Sequence, residues 1–295
     1  MARIHLVDTS PYIFRAYFSL PSSMTAPDGR PVNAVYGLAG TVLKMIDDES
    51  LTHAAFAFDR SLTSSFRNEI YPEYKRQRAL PPQDLERQLE DCERVVAALG
   101  FRHFSSDRYE ADDLLGTLAA QLHRSTDHEL VIVSSDKDLG QLVDDRVILF
   151  DLAKGLHLGP DGVKEKLGVP PELVADFLGL AGDPVDNIPG VPGIGKKSAT
   201  ALLLALGPLD RIYDDLDAVE QLPVRGAKSL RRKLEEHRPM AEMSRRLATV
   251  ARDAPISASA DELKWPGADR DALKTLLEEL GFGDRLLSRV QRFQN

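Results

Sequence analysis

Acidic residues in five places along the sequence could together bind metal ions. Asp8 and Asp59 stand alone, whereas the others form the clusters Glu110-Ala111-Asp112-Asp113, Asp136-Lys137-Asp138 and Asp183-Pro184-Val185-Asp186. Gathered in one cleft, nine carboxylates would repel each other strongly unless cations neutralised them. Two divalent ions about 3.5–4 Å apart would do so, and such pairs stabilise both the attacking and the leaving oxygen of a phosphodiester. Helix-terminus or turn chemistry explains each cluster alone at least as well, so the prediction depends on the joint pattern.

A basic segment with interleaved aromatic residues follows Asp59 directly. Residues 60–78 carry a net charge of +3 in a chain whose net charge is −9, and they include Phe66, Tyr71 and Tyr74. Basic side chains neutralise backbone phosphate, and aromatic rings offer stacking faces for unpaired bases. A solvated amphipathic helix explains the same pattern equally well. If the acids are concentrated in one metal site, the overall acidic charge does not exclude a nucleic-acid partner.

Residues 190–197, GVPGIGKK, have the glycine spacing of a phosphate-binding turn. Lys197 stands where the phosphate-binding loop of ATPases has Ser or Thr for Mg²⁺, and no strand precedes the segment, which disfavours an ATPase. A hairpin that grips the phosphates of a duplex without reading its sequence fits better, although a plain helix N-cap remains an alternative. The basic run at 225–233 could extend this contact or form a solvated helix face.

The pattern of apolar residues predicts an α/β fold with a mainly parallel sheet flanked by helices. Apolar runs lead to Asp8, Asp59, Asp136 and Asp151, and segments with helical periodicity at 33–47, 83–99 and 110–123 lie among them. Three of these aspartates would lie at carboxyl ends of strands, where ligands bind in open α/β sheets. After about residue 168 the pattern predicts only helices and Gly/Pro-rich turns.

Composition narrows the class of protein further. The 295 residues include one cysteine and scattered histidines without zinc spacing. No apolar run approaches the ~20 residues of a membrane span or the core of a signal peptide. We therefore expect a cytoplasmic protein without a membrane partner.

The order of these motifs resembles that of the 5′ nuclease family, which includes flap endonucleases, phage 5′–3′ exonucleases and the N-terminal domain of bacterial DNA polymerase I. The matching segments are LVDTSPYIFRAYFSLP, AFAFD, YEADD, SSDKD and GDPVDNIPGVPGIGKK, spread over about residues 3–250. The resemblance implies a PIN-like α/β nuclease core at 1–168 with a helical arch at about 60–82. It also implies a helix–three-turn–helix DNA-binding region and C-terminal helices at 169–295.

The resemblance also implies roles for individual residues. A first Mg²⁺ would be held by Asp8, Asp59, Glu110 and Asp112, with Asp113 binding it or orienting it through water, and a second by Asp136, Asp138, Asp183 and Asp186; Mn²⁺ could substitute. Lys75, Arg78 and Arg67 of the arch would lie at the scissile phosphate. DNA contacts would come from Tyr74, Arg76, Gly190, Gly193, Gly195, Lys196 and Lys197. Carbonyls of Val191 and Ile194 would hold K⁺ at the hairpin.

The implied activity is that of a two-metal 5′–3′ exonuclease and structure-specific flap endonuclease, acting as a monomer in replication and repair. Its partners would be DNA with a 5′ flap, a 5′ overhang or a nick, and a separate DNA polymerase. Two alternatives stay open at this point: a DNA-binding accessory protein with little turnover, and an RNase that uses the same acids.

Overall fold

The computed structural model describes residues 2–49, 51–60, 64–78, 81–224, 226–283, 286 and 288–289. In these ranges a sheet of six strands has the order β3-β2-β1-β4-β5-β6. The strands are β1 (Arg3–Asp8), β2 (His53–Asp59), β3 (Arg102–Ser106), β4 (Glu129–Val133), β5 (Val147–Asp151) and β6 (Leu156–Leu158). The first five run parallel, and β6 pairs antiparallel with β5. The predicted mainly parallel sheet is therefore confirmed.

Helices cover both faces of the sheet and form most of the chain after residue 159. They are α1 (Ser10–Ser19), α2 (Asn33–Glu49), α3 (Phe66–Ile70), α4 (Gln83–Ala98), α5 (Ala111–Ser125), α6 (Pro160–Leu167), α7 (Val174–Ala181), α8 (Lys196–Leu206), α9 (Leu209–Asp214), α10 (Leu216–Glu220), α11 (Ala227–Glu236), α12 (Arg238–Ala248) and α13 (Arg270–Glu279). Short 3-10 turns occur at Asp138–Leu142, Pro171–Leu173 and Asp261–Leu263. The three predicted helices correspond to α2, α4 and α5.

Two hydrophobic clusters, one on each face of the sheet, stabilise this arrangement. On one face, α5 packs its apolar side on β1 and β4 and shares its cluster with α7, α8 and α12. On the other face, α2 and α4 pack on β1 and β2, and α13 joins them. Strands covered on both faces read as continuous apolar runs, which is why β1, β2, β4 and β5 were evident in the sequence.

The C-terminal segment returns to the region of the sheet instead of staying with the preceding helices. The backbone N–H of Trp265 donates to the Thr52 carbonyl (2.8 Å), and the Asp269 N–H donates to Ala98 (3.0 Å). Glu279 on α13 pairs with Arg94 of α4 (2.6 Å). Residues after about 260 are thus part of the hydrophobic core of the first region, which no local pattern predicts.

The segment predicted to form the arch is largely turn in the part that the structure describes. It contains the five-residue helix α3 and a series of turns at 72–77. Residues 61–63 and 79–80 lie outside the described ranges, so the predicted arch at 60–82 is described only in part. Within the described ranges, no helix is both long and apolar enough to cross a bilayer.

Candidate metal centre and DNA-binding surface

The carboxyl ends of the parallel strands place the predicted acids along one edge of the sheet. Asp8 and Asp59 are the last residues of the paired strands β1 and β2. Asp136 follows β4, which is the other neighbour of β1. Glu110 is the N-cap of α5, and its side chain accepts from the helix backbone. The topology thereby brings together acids that are up to 128 positions apart in the sequence.

Serine hydroxyls and a helix N-terminus orient the two strand-end aspartates. Asp8 accepts a hydrogen bond from the Ser134 hydroxyl (2.7 Å) and another from the Ser10 N–H (3.1 Å). Asp59 accepts from the Ser10 hydroxyl (2.7 Å) and from the Ala111 N–H at the start of α5 (2.7 Å). Ser10 therefore links both carboxylates, and each carboxylate is held in one orientation.

Five acids at this edge lie near enough to raise each other's pKa values: Asp8, Asp59, Asp112, Asp136 and Asp138. Burial and then the Asp59 carboxylate raise the pKa of Asp8 to about 7, with a smaller contribution from Asp136. Burial and then Asp136, Asp8 and Asp59 raise the pKa of Asp112 well above its usual value. Burial and then Asp136 raise the pKa of Asp138 to about 7. A divalent cation would relieve this repulsion.

Glu110 lies beside this group but is neutralised by basic side chains. The Lys75 ammonium donates to its carboxylate (2.6 Å), and the Arg67 guanidinium is 3.9 Å away. Burial alone would raise the pKa of Glu110, but Lys75 and Arg67 lower it below its usual value. Burial alone would lower the pKa of Lys75, whereas Glu110 and Asp186 raise it. Glu110 and Lys75 therefore form a buried ion pair in their charged forms.

The second predicted acid set is also partly neutralised within the chain. The Lys137 ammonium donates to Asp183 (2.8 Å) and lies 3.1 Å from Asp138. Burial would raise the pKa of Asp183, but Lys137 lowers it. Asp186 accepts a hydrogen bond from Arg78 and another from the Tyr74 hydroxyl (3.1 Å).

The donor set fits hard divalent cations, although the described side chains are not yet arranged around one. Carboxylate oxygens are the ligands that Mg²⁺ and Mn²⁺ prefer. Oδ1 of Asp138 is buried without a well-oriented hydrogen-bond donor. Among the residues that the structure describes, no group of three or more His, Cys, Asp or Glu side chains is preformed to hold an ion. The acids are near enough to repel each other, but a bound ion would require them to move closer together.

Two predicted roles, those of Asp113 and Arg67, do not fit the structure. Both side chains are buried and form a bidentate ion pair (2.7 and 2.8 Å). Asp113 also accepts from the backbone N–H groups of Glu110 (3.1 Å) and Ala251 (2.8 Å). Arg67 donates further to the Leu247 carbonyl (2.7 Å). Since all of these groups are engaged inside the protein, neither Asp113 nor Arg67 presents a free polar group to a metal ion or a phosphate in this structure.

Tyr74 likewise differs from its predicted role in DNA binding. Its ring is only 4% exposed and belongs to the hydrophobic cluster on the α5 face, so it offers no stacking face to a base. Its hydroxyl donates toward the acids instead. Arg76 and Arg78 are exposed, Arg76 beside Glu73 and Arg78 beside Asp186. These two arginines remain accessible to a phosphate backbone.

The glycine hairpin, residues 190–195, joins α7 to α8 through close backbone contacts. Gly190 has φ +64° and donates its N–H to the Ser244 hydroxyl (3.0 Å). A Cβ on Gly190 would come 2.3 Å from the Gly182 nitrogen, so only glycine fits there. Val191 and Ile194 are buried, and the Ile194 N–H donates to the Val191 carbonyl (2.9 Å).

The exposed side of the hairpin carries positive charge next to the acids. Gly195 is the N-cap of α8, and Lys196 and Lys197 follow as exposed residues. Lys196 is near enough to lower the pKa of Asp183, after burial and Lys137 are taken into account. The Gly193 carbonyl accepts from Lys233 of α11 (2.9 Å). A duplex phosphate at this helix N-terminus would meet backbone N–H groups and two ammonium groups together.

Two arginines of the second basic run are paired with neighbouring acids. Arg231 pairs with Asp217 (3.1 Å) and Glu235 (2.9 Å), and Arg232 lies 3.7 Å from Glu236. Arg225 lies outside the described residues. These two arginines fit a solvated helix face, whereas Lys228 is exposed and Lys233 reaches the hairpin carbonyl of Gly193.

Sequence reasoning missed the residues that orient the acids. Ser10, Ser134 and Lys137 all lie within motifs that the sequence singled out, one or two positions from an aspartate. The Ser10 and Ser134 hydroxyls bond to aspartates at the ends of other strands, and Lys137 bonds to Asp183 in the loop after α7, so only the tertiary structure reveals these contacts. Their position next to an aspartate at the end of a predicted strand is the one sequence signal that could have identified them.

Comparisons with known proteins agree with this geometry. The family model "5′-3′ exonuclease, N-terminal resolvase-like domain" matches residues 3–168, and "5′-3′ exonuclease, C-terminal SAM fold" matches residues 169–271. DNA polymerase I of Pseudomonas aeruginosa is 44% identical over 283 residues, which are 95% of this chain and 31% of that protein. DNA polymerase I of Bacillus subtilis is 37% identical over 98% of this chain and 32% of that protein. The chain thus spans about a third of the length of these relatives.

Solved structures with low sequence identity to this chain share its fold over almost its whole length. Bacteriophage T5 flap endonuclease, solved as a pseudo-enzyme–product complex with DNA and metal ions, has a TM-score of 0.65 and 21% identity over 98% of this chain and 99% of that one. The catalytic core of Rad2 in complex with a DNA substrate has a TM-score of 0.64 and 15% identity over 99% of this chain and 92% of that one. With its family-model match over more than half of its length, the chain belongs to the 5′–3′ exonuclease family of nucleases.

Proposed function

We propose that this chain is a divalent-metal-dependent 5′–3′ exonuclease and structure-specific 5′ flap endonuclease that hydrolyses DNA in replication and repair. The observation that supports this most is the group of five mutually repelling acids at the sheet edge, in a chain of the 5′–3′ exonuclease family. The T5 flap endonuclease with its DNA and metal ions adds support, because it shares this fold.

Two divalent ions, Mg²⁺ or Mn²⁺, would be held at this edge. Asp8, Asp59, Glu110 and Asp112 are the candidate ligands of one, and Asp136, Asp138, Asp183 and Asp186 of the other. Bound there, the ions would activate water and stabilise the leaving 3′ oxygen. Asp113 supports this set from behind, since it caps α5 and anchors Arg67.

The basic side chains next to the acids would act on the scissile phosphate itself. Lys75 and Arg78 already contact the carboxylates of Glu110 and Asp186, so they lie beside candidate metal ligands and could reach a phosphate bound there. Fixed positive groups stabilise charge that develops on phosphoryl oxygens, and they do so more strongly in a partly buried site. A single-stranded 5′ end would pass beneath the segment 64–78.

The positions of the acidic and basic side chains suggest different roles for the two regions. We assign the chemistry mainly to residues 1–168, with Asp183 and Asp186 contributed by the loop after α7, and the holding of the adjoining duplex to the rest of residues 169–295. The hairpin, with Lys196 and Lys197, would bind duplex phosphates without sequence preference. The same proposal includes a K⁺ ion held between the hairpin carbonyls of Val191 and Ile194 and a DNA phosphate. It also includes action as a monomer in the cytoplasm and cooperation with a DNA polymerase.

A flap-cleavage assay tests this proposal. A labelled 5′-flap DNA should be cut near the junction with Mg²⁺ or Mn²⁺ and left intact in EDTA. Asp112→Asn should lower turnover on the order of 10²–10³-fold, because it removes a negative charge at the centre. Asp217→Asn, on an exposed helix, serves as the matched control and should leave turnover unchanged. Binding of the flap without cleavage under either ion would instead favour an accessory protein, and preferential cleavage of an RNA flap would favour an RNase.

A further inference from the structure

Two segments far apart in sequence lie side by side over the acidic edge. Residues 73–78 of the basic segment run along the loop 183–187 of the second acid set. The backbone N–H of Lys75 donates to the Asp186 carbonyl (3.0 Å). The Tyr74 hydroxyl (3.1 Å) and the Arg78 guanidinium also reach the Asp186 carboxylate. These contacts all converge on one residue, so they do not fix the backbone register of two irregular segments, neither of which forms a strand here.

Two side-chain amides fix that register from opposite sides. The Gln77 amide donates to the carbonyls of Pro184 (3.0 Å) and Val185 (2.9 Å). In the reverse direction, the Asn187 amide donates to the Glu73 carbonyl (2.6 Å). We call these three bonds the amide clasp. Both amides use their donors on protein backbone, so their role differs from that of the charged residues around them.

The clasp holds backbone that would otherwise relax. Lys75 has φ +54° and Asn187 has φ +56°, in the left-handed region that residues other than glycine adopt only at a cost of about 1 kcal/mol or more. From this backbone position the Lys75 ammonium reaches Glu110 (2.6 Å) and comes to 3.7 Å from Asp186. Without the clasp, Lys75 could return to an extended conformation, and its side chain would leave the acids.

We infer that Gln77 and Asn187 are positioning residues that hold Lys75 at the scissile phosphate. This inference rests on the proposed function, in which Lys75 contacts that phosphate. Neither amide touches the reacting atoms; each acts through the backbone that carries Lys75. A displacement of about 1 Å at a reacting centre costs up to about 100-fold in rate, so loss of the clasp should be visible in turnover.

A double-mutant cycle on flap cleavage tests the inference. Gln77→Met keeps the size of the side chain and removes its donors, and Asn187→Gly removes the other amide while tolerating the left-handed backbone. Each should lower single-turnover cleavage roughly 10- to 100-fold with little change in KM. In a Lys75→Ala background, Gln77→Met should change cleavage less than about twofold, because both act through one group. Independent, multiplicative losses would overturn the inference.

Chemical labelling of Lys75 tests the clasp even if no cleavage is observed. An amine-reactive reagent, read out by peptide mass spectrometry, should modify Lys75 slowly in the wild-type protein and about tenfold faster in Gln77→Met. The matched control is Gln121→Met on α5, which removes a comparable hydrogen bond from the Gln121 amide to the Ile256 carbonyl (2.8 Å). This variant should leave Lys75 protected. Unchanged Lys75 labelling in Gln77→Met would refute the clasp, whereas accelerated labelling in a protein that cuts no flap would refute only the proposed function.

Discussion

Arg67 and Asp113 form an ion pair whose side chains are almost completely shielded from solvent. The pair joins α3 to α5, and further hydrogen bonds tie it to residues 247–251 at the end of α12 and just after it. Charged groups in such a position are stable only while both partners are present. The segment YEADD therefore contains two kinds of acid: Asp112 interacts with the acids at the sheet edge, and Asp113 supports the helix that carries it.

Asp113→Ala should destabilise the fold more than it disturbs the chemistry. The change leaves the Arg67 guanidinium buried without a counter-ion, which should lower the free energy of unfolding by about 3–5 kcal/mol. Urea denaturation followed by circular dichroism measures this loss. Asp217→Ala, which breaks the exposed pair with Arg231, should cost less than about 1 kcal/mol. A fully stable Asp113→Ala protein that had lost Mn²⁺ binding would restore Asp113 to the ligand set.

His5 makes stability depend on pH. It is buried in β1, and neither ring nitrogen has a hydrogen-bond partner within the described part of the chain. Burial, followed by the charge of Arg3, lowers its pKa to about 4. Because the unfolded chain binds the proton more readily, the contribution of His5 to stability should be complete above pH 6.5 and should be lost as pH falls toward 4, by roughly 3 kcal/mol in total. The raised pKa values of Asp8 and Asp138 act in the opposite direction over this range, so His5 is tested by comparing the variant with the wild-type protein. Denaturation of His5→Leu across this range should show a correspondingly smaller loss; an identical profile would contradict the assignment.

At the scale of elements, the carboxyl edge of the sheet brings the acids together. The runs that form β1, β2, β4 and β5 and the periodicity of α2, α4 and α5 predicted this edge, because buried parallel strands and amphipathic helices have strong patterns. The short strand β3, the antiparallel β6 and the turns at 72–77 have no such pattern. The contact of Ser10 with Asp59 depends on strand order, and that of Lys137 with Asp183 depends on where the loop after α7 lies, so the sequence reveals neither.

Metal ions should stabilise the folded protein through this edge. Mn²⁺ at about 100 times its Kd should add about 2.7 kcal/mol to the free energy of unfolding, because the unfolded chain lacks the site. Differential scanning calorimetry should show a rise in Tm on adding Mn²⁺ and its reversal by EDTA. Asp112→Asn should abolish most of that rise, while Asp161→Asn, in the first turn of α6, should retain it. An equal rise in both variants would place the ions elsewhere.

At the scale of the whole molecule, acidic and basic side chains are concentrated in different places, although the net charge is −9. The acids at the sheet edge lie next to the exposed ammonium groups of Lys196 and Lys197, while the arginines of α11 are paired with nearby acids. A duplex would therefore meet a local positive surface on an acidic protein. Composition alone could not predict this, since it records only the sum.

Lys197→Ala should weaken binding to a nicked duplex and reduce the slope of log K against log salt concentration by about one, as expected for loss of one phosphate contact. Arg231→Ala should leave that slope unchanged, because its guanidinium is already engaged by Asp217 and Glu235. Fluorescence anisotropy at several KCl concentrations measures both slopes. Equal slopes for Lys197→Ala and the wild-type protein would exclude the hairpin as a phosphate contact.

The return of the C-terminal segment gives the protein an optical reporter of its own. Trp265, the one tryptophan in the sequence, stacks on Phe101 with ring centroids 5.4 Å apart, and its indole N–H donates to the Leu99 carbonyl (2.8 Å). These contacts lie near the amino ends of β2 and β3, at the opposite end of the strands from the acids. Tryptophan fluorescence should therefore report detachment of the C-terminal segment. It should stay constant while nucleic acid is bound and cut at the opposite end of the strands.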